Sequence, residues 1–266
     1  MRLDEVMSSP VVTIPGGTLL ADCAVLMADR HLRHLPVVDA KGRCTGLVTD
    51  YEIQHRGSME TPKVWVPRDA ADATLTASMV QRTIEVERPA GAPLHEVLID
   101  LAESTQDLAL ALDADHRPVG ILTEHDVVRL VGDLWDGDGS SAQAEWLRTT
   151  ELPLLDAEMQ ALEARSWMAR RRERHALVVR RGLLVGVLSL RDVALEEHVH
   201  PHLTASDVAN RPVSVGTVPD PVRAARMLHD RKIGVLPVVD PERRPIAMVS
   251  RCDLAHALAT RLASRA

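Results

Sequence analysis

The apolar and polar positions of this chain are organised around one short phrase that is written four times. It reads G-L-V-T-D-Y-E-I from Gly46, G-I-L-T-E-H-D-V from Gly120, G-V-L-S-L-R-D-V from Gly186 and A-M-V-S-R-C-D-L from Ala247. Each copy is a small residue, two aliphatics, a hydroxyl (Thr49, Thr123, Ser189, Ser250), two variable positions, a carboxylate (Glu52, Asp126, Asp192, Asp253) and a further aliphatic. Four copies in register mark an internal repeat. Aliphatics running into Ser/Thr-x-x-Asp/Glu predict a strand that passes straight into a helix opened by a capping box. A helix N-terminus carrying a hydroxyl and a carboxylate can also hold a phosphate and a sugar hydroxyl together. The phrase leaves both readings open, capping alone and capping with ligand contact.

The stretches before each phrase predict the rest of a β-α-β-β-α unit. In residues 1–56, V-V-T-I ends at Pro15-Gly16-Gly17, and Thr18 is placed to N-cap a helix with Leu19, Cys23, Leu26 and Met27 on one face. L-P-V-V-D from Leu35 then reads as a buried strand. The second unit opens near Ser78-Met79, after a Pro- and Asp-rich loop between Thr61 and Asp72. It has T-I-E-V as a strand, a helix carrying Leu94, Val97, Leu98 and Leu101, and L-A-L-A-L-D in place of L-P-V-V-D. Gly132 to Ser141 reads as a polar linker. The third unit is the least regular, with Leu152-Pro153-Leu154-Leu155 as a strand and Asp156 as a helix cap. The fourth has P-V-S-V from Pro212, Asp220-Pro221 as N-cap and first helical residue, V-L-P-V-V-D, and a closing helix through Leu254, Ala257, Leu258 and Leu262. Units of about 60 residues are marginal alone, so pairing the first with the second and the third with the fourth is expected. That gives two domains, 1–134 and 135–266.

Composition narrows the partners. The chain has 266 residues and a net charge of −7, with no Phe and one Tyr. Acidity argues against bulk binding to nucleic acid or to an anionic membrane, and aromatic stacking platforms are scarce. No apolar run approaches the roughly 18–20 residues of a membrane span. The N-terminus lacks a signal-peptide core, and three scattered cysteines fit reduced thiols, so a cytoplasmic protein is expected. Nothing resembles a P-loop, an activated nucleophile or a dinucleotide fingerprint. His198-x-His200-x-His202 could ligate a transition metal from an extended strand, but Pro201 marks a linker there, and no metal is expected. Asp113-x-Asp115 and Asp136-x-Asp138 read as turns. Arg170-Arg171-Arg172 complement the C-terminal dipole of a helix, with contact to a phosphate or an acidic partner as the other reading.

Met7-x-x-Pro10-Val11, L-P-V-V-D at Leu35 and Leu236, and the four phrases together resemble the cystathionine β-synthase (CBS) domain family. The resemblance implies an α+β fold of four CBS repeats paired into two Bateman modules. Such a chain is similar to the regulatory γ subunit of AMP-activated protein kinase or to stand-alone bacterial tandem CBS proteins. It implies a regulatory, non-enzymatic protein that senses an adenosine ligand (AMP, ADP or ATP, with S-adenosylmethionine or a cyclic dinucleotide in the same class). It would pass that state to a protein partner or within a homodimer. A scaffold with non-binding clefts is the alternative, and an enzyme acting on nucleotides a remote one. Carried over, Asp253 meets ribose, Ser250 and Arg251 meet phosphate, and Ser214 and Leu236 line an adenine pocket. The second copy supplies Thr123 and Asp126, the third Ser189, Arg191 and Asp192. In the first, Thr13, His34, Leu35, Thr49 and Glu52 occupy the matching places. Glu52 in place of Asp reaches about 1.5 Å further, Asp50-Tyr51 adds negative charge, Glu85 replaces a small hydroxyl residue and Ala247 replaces Gly. One or two working sites are therefore expected, the fourth foremost.

Overall fold

Each phrase forms the strand-to-helix corner that its pattern predicts. The computed structural model describes residues 1–135, 146–147, 151–196 and 202–265. The first repeat comprises β1 (Ile14–Pro15), α1 (Leu20–Arg30), β2 (His34–Val38), β3 (Cys44–Thr49) and α2 (Asp50–Arg56). A hairpin of β4 (Gly57–Thr61) and β5 (Val64–Pro67) follows, then the short α3 (Ala77–Val80). The second repeat is β6 (Glu87–Pro89), α4 (Leu94–Glu103), β7 (Leu108–Leu112), β8 (Pro118–Thr123) and α5 (Glu124–Leu134). The third is β9 (Leu154–Asp156), α6 (Ala161–Arg171), β10 (His175–Arg180), β11 (Leu183–Ser189) and α7 (Leu190–Glu196). After α8 (Ala205–Val208), the fourth has α9 (Pro221–Asp230), β12 (Val235–Val239), β13 (Pro245–Ser250) and α10 (Arg251–Ala263). No helix among the described residues is long and apolar enough to cross a membrane.

The sheets share one plan. β1 runs parallel to β2, and β2 antiparallel to β3 with His34 opposite Thr49; the orders β6-β7-β8 and β9-β10-β11 repeat it. In the fourth repeat the first strand shrinks to one bridge, Val215 to Val238, beside the β12-β13 pair. Residues ahead of the first strands of the first, second and fourth repeats bridge the phrase of another repeat. Ser8 bridges Ile121, Arg82 bridges Leu47 and Asn210 bridges Val187.

The packing forms two compact units. One is Arg2–Pro93 with Leu108–Leu122; the other is Leu94–Asp107 with Thr123–Ala266, joined by Met1. In the first, Leu20, Cys23, Ala24 and Met27 of α1 meet Ile14, Leu35, Val37 and Val48. A second cluster there joins Leu47, Ile84, Leu108 and Leu110. In the other unit, α4 and α5 pack on α9 and α10. That explains why Leu94, Val97, Leu98 and Leu101 of α4 and Leu254, Ala255 and Leu258 of α10 are fully buried.

Several local expectations need correction. Thr18 does not cap α1: Leu19 holds that position, 42% exposed, and the Leu20 amide donates to the Leu75 carbonyl at 2.8 Å. A backbone acceptor has taken the amide that a capping hydroxyl would satisfy. Asp156 closes a turn instead of capping α6, accepting from the Glu158 amide at 2.8 Å. The loop expected from Thr61 contains β5, because Trp65 is buried and its indole N–H donates to the Ile53 carbonyl at 3.2 Å. The second repeat's first strand lies at Glu87–Pro89, just past T-I-E-V. Asp220 does cap α9, accepting from the Arg223 amide at 2.9 Å. Most of the Gly132–Ser141 linker, Asp136 and Asp138 included, lies outside the described residues, as do His198 and His200.

Candidate functional site

The hydroxyl and carboxylate of the phrase close on each other. Thr49, Thr123 and Ser250 are N-caps, and each donates both its backbone N–H and its hydroxyl to one oxygen of the carboxylate three residues on. The N–H distances are 2.9 Å to Glu52 Oε2, 2.9 Å to Asp126 Oδ2 and 2.7 Å to Asp253 Oδ2. The hydroxyl distances are 2.7, 2.8 and 2.5 Å. In the third copy Ser189 Oγ accepts from the Asp192 amide at 3.0 Å. In these three copies the box engages one carboxylate oxygen. Asp253 is 1% exposed and Glu52 6%.

The second oxygen meets different groups in different copies. Glu52 Oε1 faces the Arg82 guanidinium, which also lies 4.3 Å from the Tyr51 ring centroid. Arg33 meanwhile binds Asp50 at 2.8 Å. The negative charge expected of Asp50 and Glu52 is thus matched by two arginines, and the longer reach of Glu52 serves Arg82. Asp126 Oδ1 lies 3.6 Å from Arg129. Asp192 Oδ2 accepts from the Asn210 side-chain amide at 2.9 Å.

Several further charged groups gather at the N-termini of α5 and α10. Arg251 opens α10, donating from Nη2 to the Ile233 carbonyl at 3.2 Å, and its buried Nε has no protein hydrogen-bond partner. Arg174, at the entry to β10, pairs with the buried Glu124, the first residue of α5, and touches Cys252 Sγ. Its Nη1 donates to the Gln106 carbonyl at 3.2 Å. His125, next in α5, lies 5.1 Å ring to ring from His229 of α9. The His175 imidazole packs so closely on Gly234 that a Cβ there would collide with it.

The balance of this cluster is cationic. Burial, then Arg174 and Arg251, push the His175 pKa down to about 3. His125 is lowered by burial, His229 and Arg251. Burial opposes the Arg174 charge, but Glu124 and Cys252 hold it above the ordinary guanidinium value. Two arginines and a buried carboxylate at two helix N-termini, with His175 kept neutral by burial and by the arginines, suit an added anion. The three thiols suit no nucleophilic role: burial pushes Cys23, Cys44 and Cys252 up to about 11, so they stay protonated near neutral pH.

The other expected contacts are dispersed. Leu35 and Leu236 are fully buried, so their side chains belong to the core. Thr13 and His34 are half-buried and Ser214 is exposed. Arg191 follows Ser189 in the first turn of α7. Asp113 accepts from the Asp115 and Arg117 amides at 2.9 Å, a turn. Among the described residues no group of three or more His, Cys, Asp or Glu is placed to hold a metal. Sequence reasoning passed over Arg82, Glu124, His125, Asn210 and His229. Glu124, His125, Arg251 and Cys252 occupy the two variable positions of the phrase, and their signal was that these are the first helical residues.

Repeated β-α-β-β-α units whose closing helices open in a hydroxyl–carboxylate box define a repeat protein. Residues 3–57 and 198–260 match the CBS domain family. Its fold resembles a Methanocaldococcus jannaschii protein described as a proposed archaeal homolog of g-AMPK (TM-score 0.73, 17% identity, 97% of this chain and 100% of that one). It also resembles a conserved protein of Pyrococcus horikoshii (TM-score 0.66, 18% identity, 97% and 100%). At such identities the likeness is one of fold. Homoserine O-acetyltransferase of Methanohalobium evestigatum is 25% identical over 130 residues, 48% of this chain and 24% of that one. The chain spans 23–24% of the length of the curated relatives it matches first. CBS-domain pairs are commonly regulatory ligand-binding modules.

Proposed function

We propose that this chain is a regulatory sensor of an anionic adenosine ligand such as AMP, ADP or ATP, organised as modules 1–134 and 135–266. The observation that carries the reading is Arg251: a guanidinium at the N-terminus of α10, with a buried Nε that has no protein partner. It stands beside a capping box in which Asp253 spends one oxygen on the cap. A phosphate there would receive charge-assisted hydrogen bonds and the helix N-terminal field, with Asp253 beside the ribose. Ligand state would pass to a protein partner, or to a second copy of the chain, by differential affinity for two arrangements. Cytoplasmic placement and catalytic inactivity belong to the same reading.

The test is thermal denaturation with millimolar AMP, ADP or ATP on nucleotide-free protein. A ligand of the folded state raises the midpoint by mass action. A flat response to all three would favour a second reading, a scaffold with closed clefts. The engagement of Glu52 by Arg82 and of Asp192 by Asn210 supports that second reading for those two copies.

A further inference from the structure

The bridges that pair the repeats place one side chain at an equivalent point each time. Leu47, Ile121 and Val187 are the second residues of the first three phrases, and their partners are Arg82, Ser8 and Asn210. Two backbone hydrogen bonds fix each position: 2.9 and 2.8 Å for Leu47 with Arg82, 3.0 and 2.8 Å for Ile121 with Ser8, 2.9 and 2.8 Å for Val187 with Asn210. From this anchored point Arg82 reaches Glu52, the carboxylate of the phrase it bridges. Asn210 does the same to Asp192 at 2.9 Å. Two independent repeats, with unlike side chains, thus spend their phrase carboxylate on the residue ahead of the partner repeat's first strand. Ser8, the third member, carries a single hydroxymethyl group.

We propose that Arg82 and Asn210 are built-in occupants of the first and third ligand sites. A ribose diol donates two hydrogen bonds to an acceptor carboxylate. From within the protein, Arg82 pairs its charge with that carboxylate and Asn210 donates a hydrogen bond to it, and both hold those sites closed to nucleoside. The residue at this one bridge position then decides which repeats sense ligand, and Glu52 in place of Asp is the partner change that lets the carboxylate meet Arg82. The inference rests on the ribose role given above to the phrase carboxylates.

Arg82→Ser and Asn210→Ser copy the short side chain of Ser8 at the equivalent position. The number of AMP molecules held per chain, counted by titration calorimetry and native mass spectrometry, should rise by one in each variant over the unaltered chain. Arg82→Lys, which keeps a cation over Glu52, should stay at the unaltered count. Unchanged counts in both serine variants, with cooperative melting retained, overturn the proposal. If Arg82→Ser does not fold, Asn210→Ser decides alone, because it withdraws a neutral, exposed side chain. An unaltered chain that binds nothing while a serine variant binds one AMP contradicts the proposed Arg251 site and supports this inference. No binding in any of the proteins overturns both.

Discussion

Replacing Arg251 by Met tests the anion site with little collateral damage. Met keeps an aliphatic stem of similar length against the same neighbours and removes the charge. The folded protein loses one hydrogen bond, to the Ile233 carbonyl, worth about 0.5–1.5 kcal/mol. The Nε that lacks a protein partner contributes no bond to lose. In the complex the same group would make charge-assisted bonds to phosphate, together worth about 1.5–3 kcal/mol. ATP affinity should therefore fall roughly ten- to 150-fold, while the melting point drops by a few degrees at most. Adenosine, which has the ribose and no phosphate, is the control and should lose less than about threefold. Titration calorimetry well below the melting transition gives both numbers. Equal losses for ATP and adenosine, or an unchanged ATP affinity, would refute the assignment of Arg251 to phosphate.

Further outcomes follow from the same cluster. Arg174→Met strands the buried Glu124 carboxylate and should cost about 3–5 kcal/mol; adding Glu124→Gln should recover much of it in denaturant titrations, and no recovery would contradict the pair. Phosphate brings negative charge towards His125, whose pKa is depressed in the free protein. The bound state then holds more protons, so affinity rises as pH falls from 8 to 6, by at most about tenfold per unit for one proton. His175, at about 3, stays neutral throughout. Calorimetry in buffers of different ionisation enthalpy should show proton uptake; release would contradict the sign. Asp253→Ala should weaken AMP about ten- to a hundredfold, measured below a melting point already lowered by the lost cap. Glu52→Ala, at a carboxylate committed to Arg82, should leave AMP affinity unchanged; the reverse ranking would overturn the choice of the fourth repeat.

The fold was legible because its signal repeats. A hydroxyl and a carboxylate three apart after two aliphatics predict a helix cap, and Thr49, Thr123 and Ser250 all form one. Leu94, Val97, Leu98 and Leu101 were readable from a 3.6-residue period. What escaped reading depended on distant partners. The α1 cap is decided by a carbonyl at Leu75, and the hairpin by the fit of Trp65 over Ile53. The first strand of the fourth repeat fades to a single bridge although P-V-S-V has strand composition. For the site, the expected carboxylates and hydroxyls lie together as pairs, but the groups that meet them come from elsewhere in the chain. Arg82 is thirty residues from Glu52, and Asn210 lies in the segment leading to the next repeat. A linear pattern that marks positions as variable cannot reveal that Glu124 and Cys252 will converge on Arg174.

The central claim, that the chain senses an anionic adenosine ligand through the Arg251 end of α10, is tested most directly by native mass spectrometry of the purified, nucleotide-stripped protein. The protein would be titrated with AMP, ADP and ATP beside the Arg251→Met variant. A saturable mass increment of one nucleotide is expected for at least one of the three, with its loss or marked weakening in the variant. No increment with any of them, or the same increment in both proteins, would contradict it.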